Sequence, residues 1–421
     1  MICRHSSSTS KWISAIKNAS SPHKSIQIYI QMHQKSIPID SFTLLYTLSA
    51  STHLHNLPLL HHLHAHISKL GFTSNVYIMS SLLHGYSSNA ACFHDASNLF
   101  DEMPERSIVT WNTMITGFSR SGNVDKARTL FDEMPLKNVG SWSAMIAAYV
   151  NSGDRRKGLG LFGKMVVDEK IKPDVFTLSS VVGACGHMGA IGFVLGKSVH
   201  GFVIKNEWDA NVKLGTALID MYAKCGYLKV ASVVFDMMRE TNVVSWTALI
   251  CGAAQHGYVS EAIHLFERMQ KVGVKPNELT FTGILSACVQ AGLVDEGRKY
   301  FKMIVEYGLK PNIHHYCCMV NLFGKAGELE DMYEVIMNMQ IEPNMNIWGS
   351  FLNSCKAENN FEMAERVIDK VIEMLRPEED GGVYNLIADL FVMGEKWDDA
   401  ERMRRLMVRQ NVKKARGASY I

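Results

Sequence analysis

Nine cysteines are spread through 421 residues without one C-x-x-C, and only Cys317-Cys318 stand together. That excludes a disulfide framework and the paired-cysteine zinc sites, and it suits a reducing compartment. No apolar run approaches the roughly 18–20 residues that span a bilayer, so the chain reads as soluble, with no membrane partner. None of the seventeen histidines begins an H-x-E, and P-C-x-x-C is missing too. The sequence therefore lacks both the ligands and the general acid/base of a zinc deaminase. An excess of one charge is also lacking: 43 Lys and Arg stand against 41 Asp and Glu, a formal +2. Any polyanion it binds must meet local patches rather than a bulk field. Acidic residues are absent from Met1 to Pro38, where Arg4, Lys11, Lys17 and Lys24 stand among serines, and Asp40 is the first. This is the composition of an organelle transit peptide, and residues 1–10 are read as part of one.

What is present is repetition. Leu99-Phe-Asp-Glu-Met-Pro104 returns unchanged at Leu130–Pro135. Weaker copies follow at Leu161–Met165, Val234–Met238, Leu265–Met269 and Tyr300–Ile304. Periods of 20–50 residues mark solenoids, whose units bury their apolar faces only against neighbours.

Val243–Asn277 shows one unit. Ser245 is the expected N-cap of a first helix ending near Gln255, with His256-Gly257 as the stop. Ser260 is the expected cap of a second helix, in which Ala262, Leu265, Phe266 and Met269 form one apolar stripe. Gly273 and Lys275-Pro276-Asn277 close the unit. The register follows from a large residue early in each first helix: Leu44, Met79, Trp111, Trp142, Leu178, Trp246, Phe281 and Tyr316, with Gly215 as the exception. Successive spacings of 31 to 37 residues predict an all-α solenoid of antiparallel helix-turn-helix repeats, a right-handed superhelix by the family resemblance that follows.

Ile108-Val-Thr-Trp-Asn-Thr-Met-Ile115, with Lys-Pro-Asp or Lys-Pro-Asn closing the longer units, resembles the pentatricopeptide repeat family of plant organelle RNA-binding proteins. Leu63–Lys69 and Leu195–Lys205 resemble its long motif, and the varied lengths resemble its subclass of mixed standard, long and short motifs. Residues 11–344 then form an array of about ten units, bounded at 11, 41, 76, 108, 139, 175, 212, 243, 278 and 313. Residues 345–421, from Ile347-Trp-Gly-Ser-Phe-Leu352 onward, resemble the extension (E) motifs that follow such arrays, and the sequence stops about where a deaminase domain begins in many relatives.

The resemblance implies that each unit reads one base through its fifth and last residues. A terminal Asp only accepts hydrogen bonds and suits the ring N–H of guanine or uracil; a terminal Asn can donate to adenine or cytosine. The implied pairs are Asn112/Asn138 for a pyrimidine and Ser143/Asp174 for G. Ser179/Asn211, Thr216/Asn242, Thr247/Asn277 and Thr282/Asn312 lean to A, with little weight on the long Ser179 and Thr282 units. Leu45/Asn75, Ser80/Ser107 and Cys317/Asn344 imply no base. The core is Y-G-n-A-A. The second residues Val109, Phe176, Val244 and Leu279 are either wedges against bases or core. Ser, Thr and Asn in a first turn also have a plain alternative role as caps.

Two motifs invite over-reading. Leu195-Gly-Lys-Ser198 mimics a phosphate loop, but Ile191 stands where its first glycine belongs. His53, His55, His61, His62, His64 and His66 cluster without a carboxylate or cysteine, so no metal and no cofactor are expected. Arg402, Arg404, Arg405, Arg409, Lys413, Lys414 and Arg416 make a basic tail, a solvated face or a contact with RNA 3′ of the core.

The expected function is non-enzymatic: sequence-specific binding of single-stranded RNA in a mitochondrion (alternatively a chloroplast), selecting a cytidine for C-to-U editing by a deaminase-bearing protein and other editing factors in trans. The rivals are stabilisation, splicing or processing of a transcript, and a protein-binding scaffold of the tetratricopeptide type.

Overall fold

The structure, a computed structural model, describes residues 3–89, 93–206, 211–377 and 379–409. Among them are twenty-four α-helices and no strand, arranged in two compact units, residues 1–202 and 203–421. No helix of the described residues is long and apolar enough to cross a membrane. The first helix, Cys3–Lys17, begins inside the segment read as a leader.

Within each unit the repeats are hairpins. First helices pack on first helices: Ile108–Arg120 lies against Val139–Asn151, and Val243–Gln255 lies against both Val212–Lys224 and Glu278–Ala291. Second helices form the other layer; Val124–Glu133 and Val259–Lys271, for example, are each seated against their own first helix and the next one.

The repeated hexapeptide supplies the joint between repeats. Phe100 and Phe131 meet Trp111 and Trp142 of the following repeat edge to face, at centroid distances of 5.0 and 5.1 Å. Phe235 meets Trp246 in the same way at 4.6 Å. Such pairs stabilise beyond their buried area by about 0.5–1.5 kcal/mol. Where Gly215 replaces the large residue, Met238 fills the gap: its Sδ lies 2.8 Å from the place a Cβ would take.

Two sequence expectations need correction. Helix Val243–Gln255 is capped by Asn242, not Ser245, which is its third residue and completes a capping box. Helix Val259–Lys271 starts one residue before Ser260, after Tyr258, with no side-chain cap. The predicted stops hold, since Gly257 and Gly273 take the left-handed φ of 76° and 77° that ends each helix. The long unit at 139–174 contains a π turn over Lys164–Asp168, a form that accommodates an inserted residue without breaking the helix.

Candidate nucleic-acid interface

Each unit's last residue is the N-cap of the next unit's first helix. Asn138, Asp174, Asn211 and Asn277 accept, through Oδ1, the backbone N–H three residues on, at 2.7–3.0 Å. Asn242 and Asn312 each accept the N–H groups two and three residues on, at 3.0–3.2 Å. The cap decides what remains for a ligand. Oδ1 is committed to the helix, so each asparagine presents its Nδ2 donor, which at Asn312 also reaches Glu278, and Asp174 presents a second acceptor oxygen. Asn138, Asp174, Asn211 and Asn242 are exposed; Asn277 and Asn312 are half-buried.

The fifth residues sit deeper. Ser143 lies 3.4 Å from Oδ1 of Asp174, so that pair is brought together directly. Thr247 is only 2% exposed and reaches Asn277 through Thr280, at 2.7 Å and then 2.8 Å. Nδ2 of Asn112 and Oδ1 of Asn138 both lie 3.3 Å from the place a Cβ on Gly140 would occupy, so the missing side chain makes room for that pair. Thr282 and Asn312 line one recess of ≈ 600 Å³ with Asn277, Glu278, Leu279 and His314. Thr216 and Asn242 share no hydrogen bond; the buried Oγ1 of Thr216 and Oδ1 of Asn112 have no partner. Ser179 donates to the carbonyl of Val175 at 2.7 Å.

The second residues are exposed rather than core. Val109 is 63% exposed, and Phe176, Val244 and Leu279 are also open. Single exposed apolar residues are ordinary, but a row in fixed register is a patterned surface. Phe42 and Tyr77 extend it towards the N-terminus and escaped the sequence reading, although their positions in the register were available.

Sequence reading also missed the third residues. Ser141, Ser245 and Thr280 complete capping boxes with the preceding Asn, and the Thr177 hydroxyl donates to Asp174 at 2.6 Å. In the last box His315 takes the place of the hydroxyl. Its Nδ1 accepts the N–H of Asn312 at 3.1 Å, which leaves Nε2–H to donate to the carbonyl of Glu278 at 2.8 Å. Burial holds this imidazole below the ordinary His range.

The remaining motifs have local explanations. Leu195–Ser198 lies within the helix Gly189–Lys205, where Ser198 donates to the carbonyl of Val194 at 3.0 Å. His61 and His64 share the Tyr86 hydroxyl at 3.1 Å each, and His66 bonds Tyr29 at 2.6 Å. In the basic tail, Arg402 and Arg405 pair with Asp399 and Glu401 of their own helix. Lys413, Lys414 and Arg416 lie outside the described residues.

The PPR repeat profile matches residues 109–139, 140–169, 216–243, 279–309 and 314–342, the PPR repeat family profile residues 241–290, and the E motif profile residues 358–421. A mitochondrial pentatricopeptide repeat-containing protein of Arabidopsis thaliana is 35% identical over 406 residues, covering 95% of this chain and 78% of the relative. The chloroplastic CRR2 of the same plant is 33% identical over 94% of this chain and 55% of its own. Against another Arabidopsis relative, a pentatricopeptide repeat-containing protein 32% identical, the chain spans half of the relative's length. Among solved structures, maize PPR10 superposes with a TM-score of 0.70 at 17% identity, covering 94% of this chain and 57% of PPR10, a likeness of fold. PPR10 has also been solved in complex with an 18-nt psaJ RNA element (TM-score 0.43, 16% identity, 96% of this chain and 74% of that one). With its hairpin repeats, its E motif and a relative matched over 78% of that relative's length, the chain belongs to the pentatricopeptide repeat family of plants.

Proposed function

We propose that residues 11–344 bind single-stranded RNA one base per unit, and that residues 345–421 serve as a docking segment for other proteins. The family is one of RNA-binding repeat scaffolds rather than of enzymes. The observation that carries the reading is the capping row. Six consecutive units end in an Asn or Asp whose Oδ1 is held by a helix terminus, leaving a single kind of hydrogen-bonding group to face outward, at Asn312 already shared with Glu278. Asparagine then offers only a donor, which suits the ring-nitrogen acceptors of adenine and cytosine. Asp174 offers only an acceptor, which suits the ring N–H of guanine.

The buried Asn112 Oδ1 and Thr216 Oγ1 lack a protein partner, and on this reading the base supplies it. The exposed second residues supply apolar flanks for bases, which stack on such surfaces whatever their sequence.

On this reading the core is Y-G-n-A-A, the compartment is an organelle, and the mitochondrion is favoured over the chloroplast. The purpose is selection of a cytidine for C-to-U editing. The 421 residues hold no H-x-E and no C-x-x-C, so the deamination falls to a deaminase-bearing domain outside them. Filter binding to an oligonucleotide carrying Y-G-n-A-A, against one with the G replaced by A, tests the reading. Tight binding that falls steeply with salt and several-fold on the swap is expected. Affinity indifferent to both overturns it. For the editing role, a loss-of-function line with every organellar cytidine edited normally would refute the assignment.

A further inference from the structure

We infer that Thr177 and Thr280 are positioning residues that connect the fifth residue of one unit to its last, and so set base preference without touching a base. The inference rests on the base-reading function proposed above.

At Thr280 the hydrogen bonding closes completely. Its single hydroxyl proton goes to Oδ1 of Asn277, 2.8 Å away, which has only lone pairs to offer. Its own two lone pairs face the N–H of Asn277 at 3.2 Å and the hydroxyl of Thr247 at 2.7 Å. Thr247 must therefore be the donor of that last bond, and the chain runs one way, from Thr247 to Thr280 to Asn277. Thr280 is fully buried and Thr247 nearly so; water cannot substitute for either hydroxyl. The amide of Asn277 is pinned with its oxygen inward, which leaves Nδ2 as the only outlet of the chain.

A related contact recurs thirty-four residues apart, between Ser143 and Thr177, and the Thr177 hydroxyl donates to Asp174 at 2.6 Å; there the Ser143 hydroxyl also faces the carbonyl of Val139 at 2.8 Å, so the direction is forced only at Thr280. Two other units lack it and serve as internal controls. Ser245 bonds Asn242, but the Oγ1 of Thr216 has no partner, so no chain reaches the amide. In the unit at 278–312 His315 replaces the hydroxyl, and Thr282 donates instead to the carbonyl of Glu278 at 3.0 Å.

The test measures equilibrium binding of the full chain to four oligonucleotides that differ only at the base aligned with Thr247/Asn277. Thr280→Val should reduce the preference for A by about fivefold, the worth of one buried hydrogen bond. It should leave the preference for G at the Ser143/Asp174 base and the salt slope unchanged. Thr280→Ser should restore the preference, and Thr247→Val, which leaves the capping box intact, should reproduce the loss. A Thr280→Val protein that keeps its preference for A refutes the inference, as does an equal loss at every base. A wild-type chain with no preference at either base refutes the base-reading function itself. If Thr280→Val does not fold, Thr280→Ala, which removes the same hydroxyl, replaces it: a lost preference for A with the preference for G at Ser143/Asp174 kept supports the inference, and a kept preference for A refutes it.

Discussion

The carboxylate of Glu278 accepts a hydrogen bond from Nδ2 of Asn312 at 3.4 Å, across the recess that both line. One donor of the capping row is thereby occupied by an anion of the protein itself. Glu278→Ala should free it and remove a negative charge from the path of a phosphate backbone. RNA affinity should rise about fivefold, the roughly 1 kcal/mol of an ordinary hydrogen bond, because the bond to Glu278 is long and exposed. The same change removes an acidic residue from a helix first turn, so stability should fall by about 0.5 kcal/mol. Titration binding and thermal melting read the two effects separately, and unchanged or weaker binding would count against an RNA-facing recess.

Asn242 caps its helix and is exposed. Asn and Asp are equivalent caps, so Asn242→Asp should leave stability within about 0.5 kcal/mol of wild type. It should also replace a donor by an acceptor at the outer face, as at Asp174. The preferred base at that unit should change from A to G. A retained preference for A would remove Asn242 from the reading row.

Gly252 faces the preceding first helix so closely that a Cβ would stand 2.3 Å from the Cβ of Ala223 and 3.3 Å from its Cα. Alanine gains about 1 kcal/mol of helix propensity over glycine, but overpacking rigid backbone costs about 1–3 kcal/mol. Gly252→Ala should therefore destabilise the chain by about 1 kcal/mol in thermal unfolding. A raised melting temperature would show that the two helices part easily.

His315 ties pH to the last capping box. Its folded pKa lies below the ordinary 6.5, with burial as the main cause and His314 adding to it, while the carbonyl and carboxylate of Glu278 oppose. A lowered His pKa means that the neutral ring's contribution is present above about 6.5 and is lost as pH falls through the folded value. Protonated Nδ1 would face the N–H of Asn312 donor to donor. The melting temperature of wild type should fall between pH 7.5 and 5 more steeply than that of His315→Thr, which restores the hydroxyl found at Thr280. Equal slopes would place the titration elsewhere, for example at His64 or His84, which burial also lowers.

The repeats were legible in the sequence because the buried stripe recurs with the period of the hairpin, and Phe100 and Phe131 carry identical neighbours. The helix starts were less so. A serine at the third position reads like a cap, whereas the true cap is the preceding Asn, which the unit boundaries had assigned to the previous repeat. The hydroxyl chains through Thr177 and Thr280 were not legible, because they join residues thirty-three or thirty-four apart whose meeting depends on how adjacent helices pack. The same holds for Glu278, an ordinary first-turn acid until its neighbour's amide is seen beside it.

The Phe–Trp joints have a consequence for how such a chain can change. Phe100–Trp111 and Phe131–Trp142 agree within 0.1 Å and 2° (5.0 Å and 83°, 5.1 Å and 81°), so each half fits either partner. Excising residues 108–138 in frame would bring Phe100 against Trp142 with no new interface to invent. Duplication of a repeat would be equally cheap. Recombination between near-identical joints can lengthen or shorten the array in whole units, and under the proposed reading of one base per unit each event would move the downstream RNA register by one base.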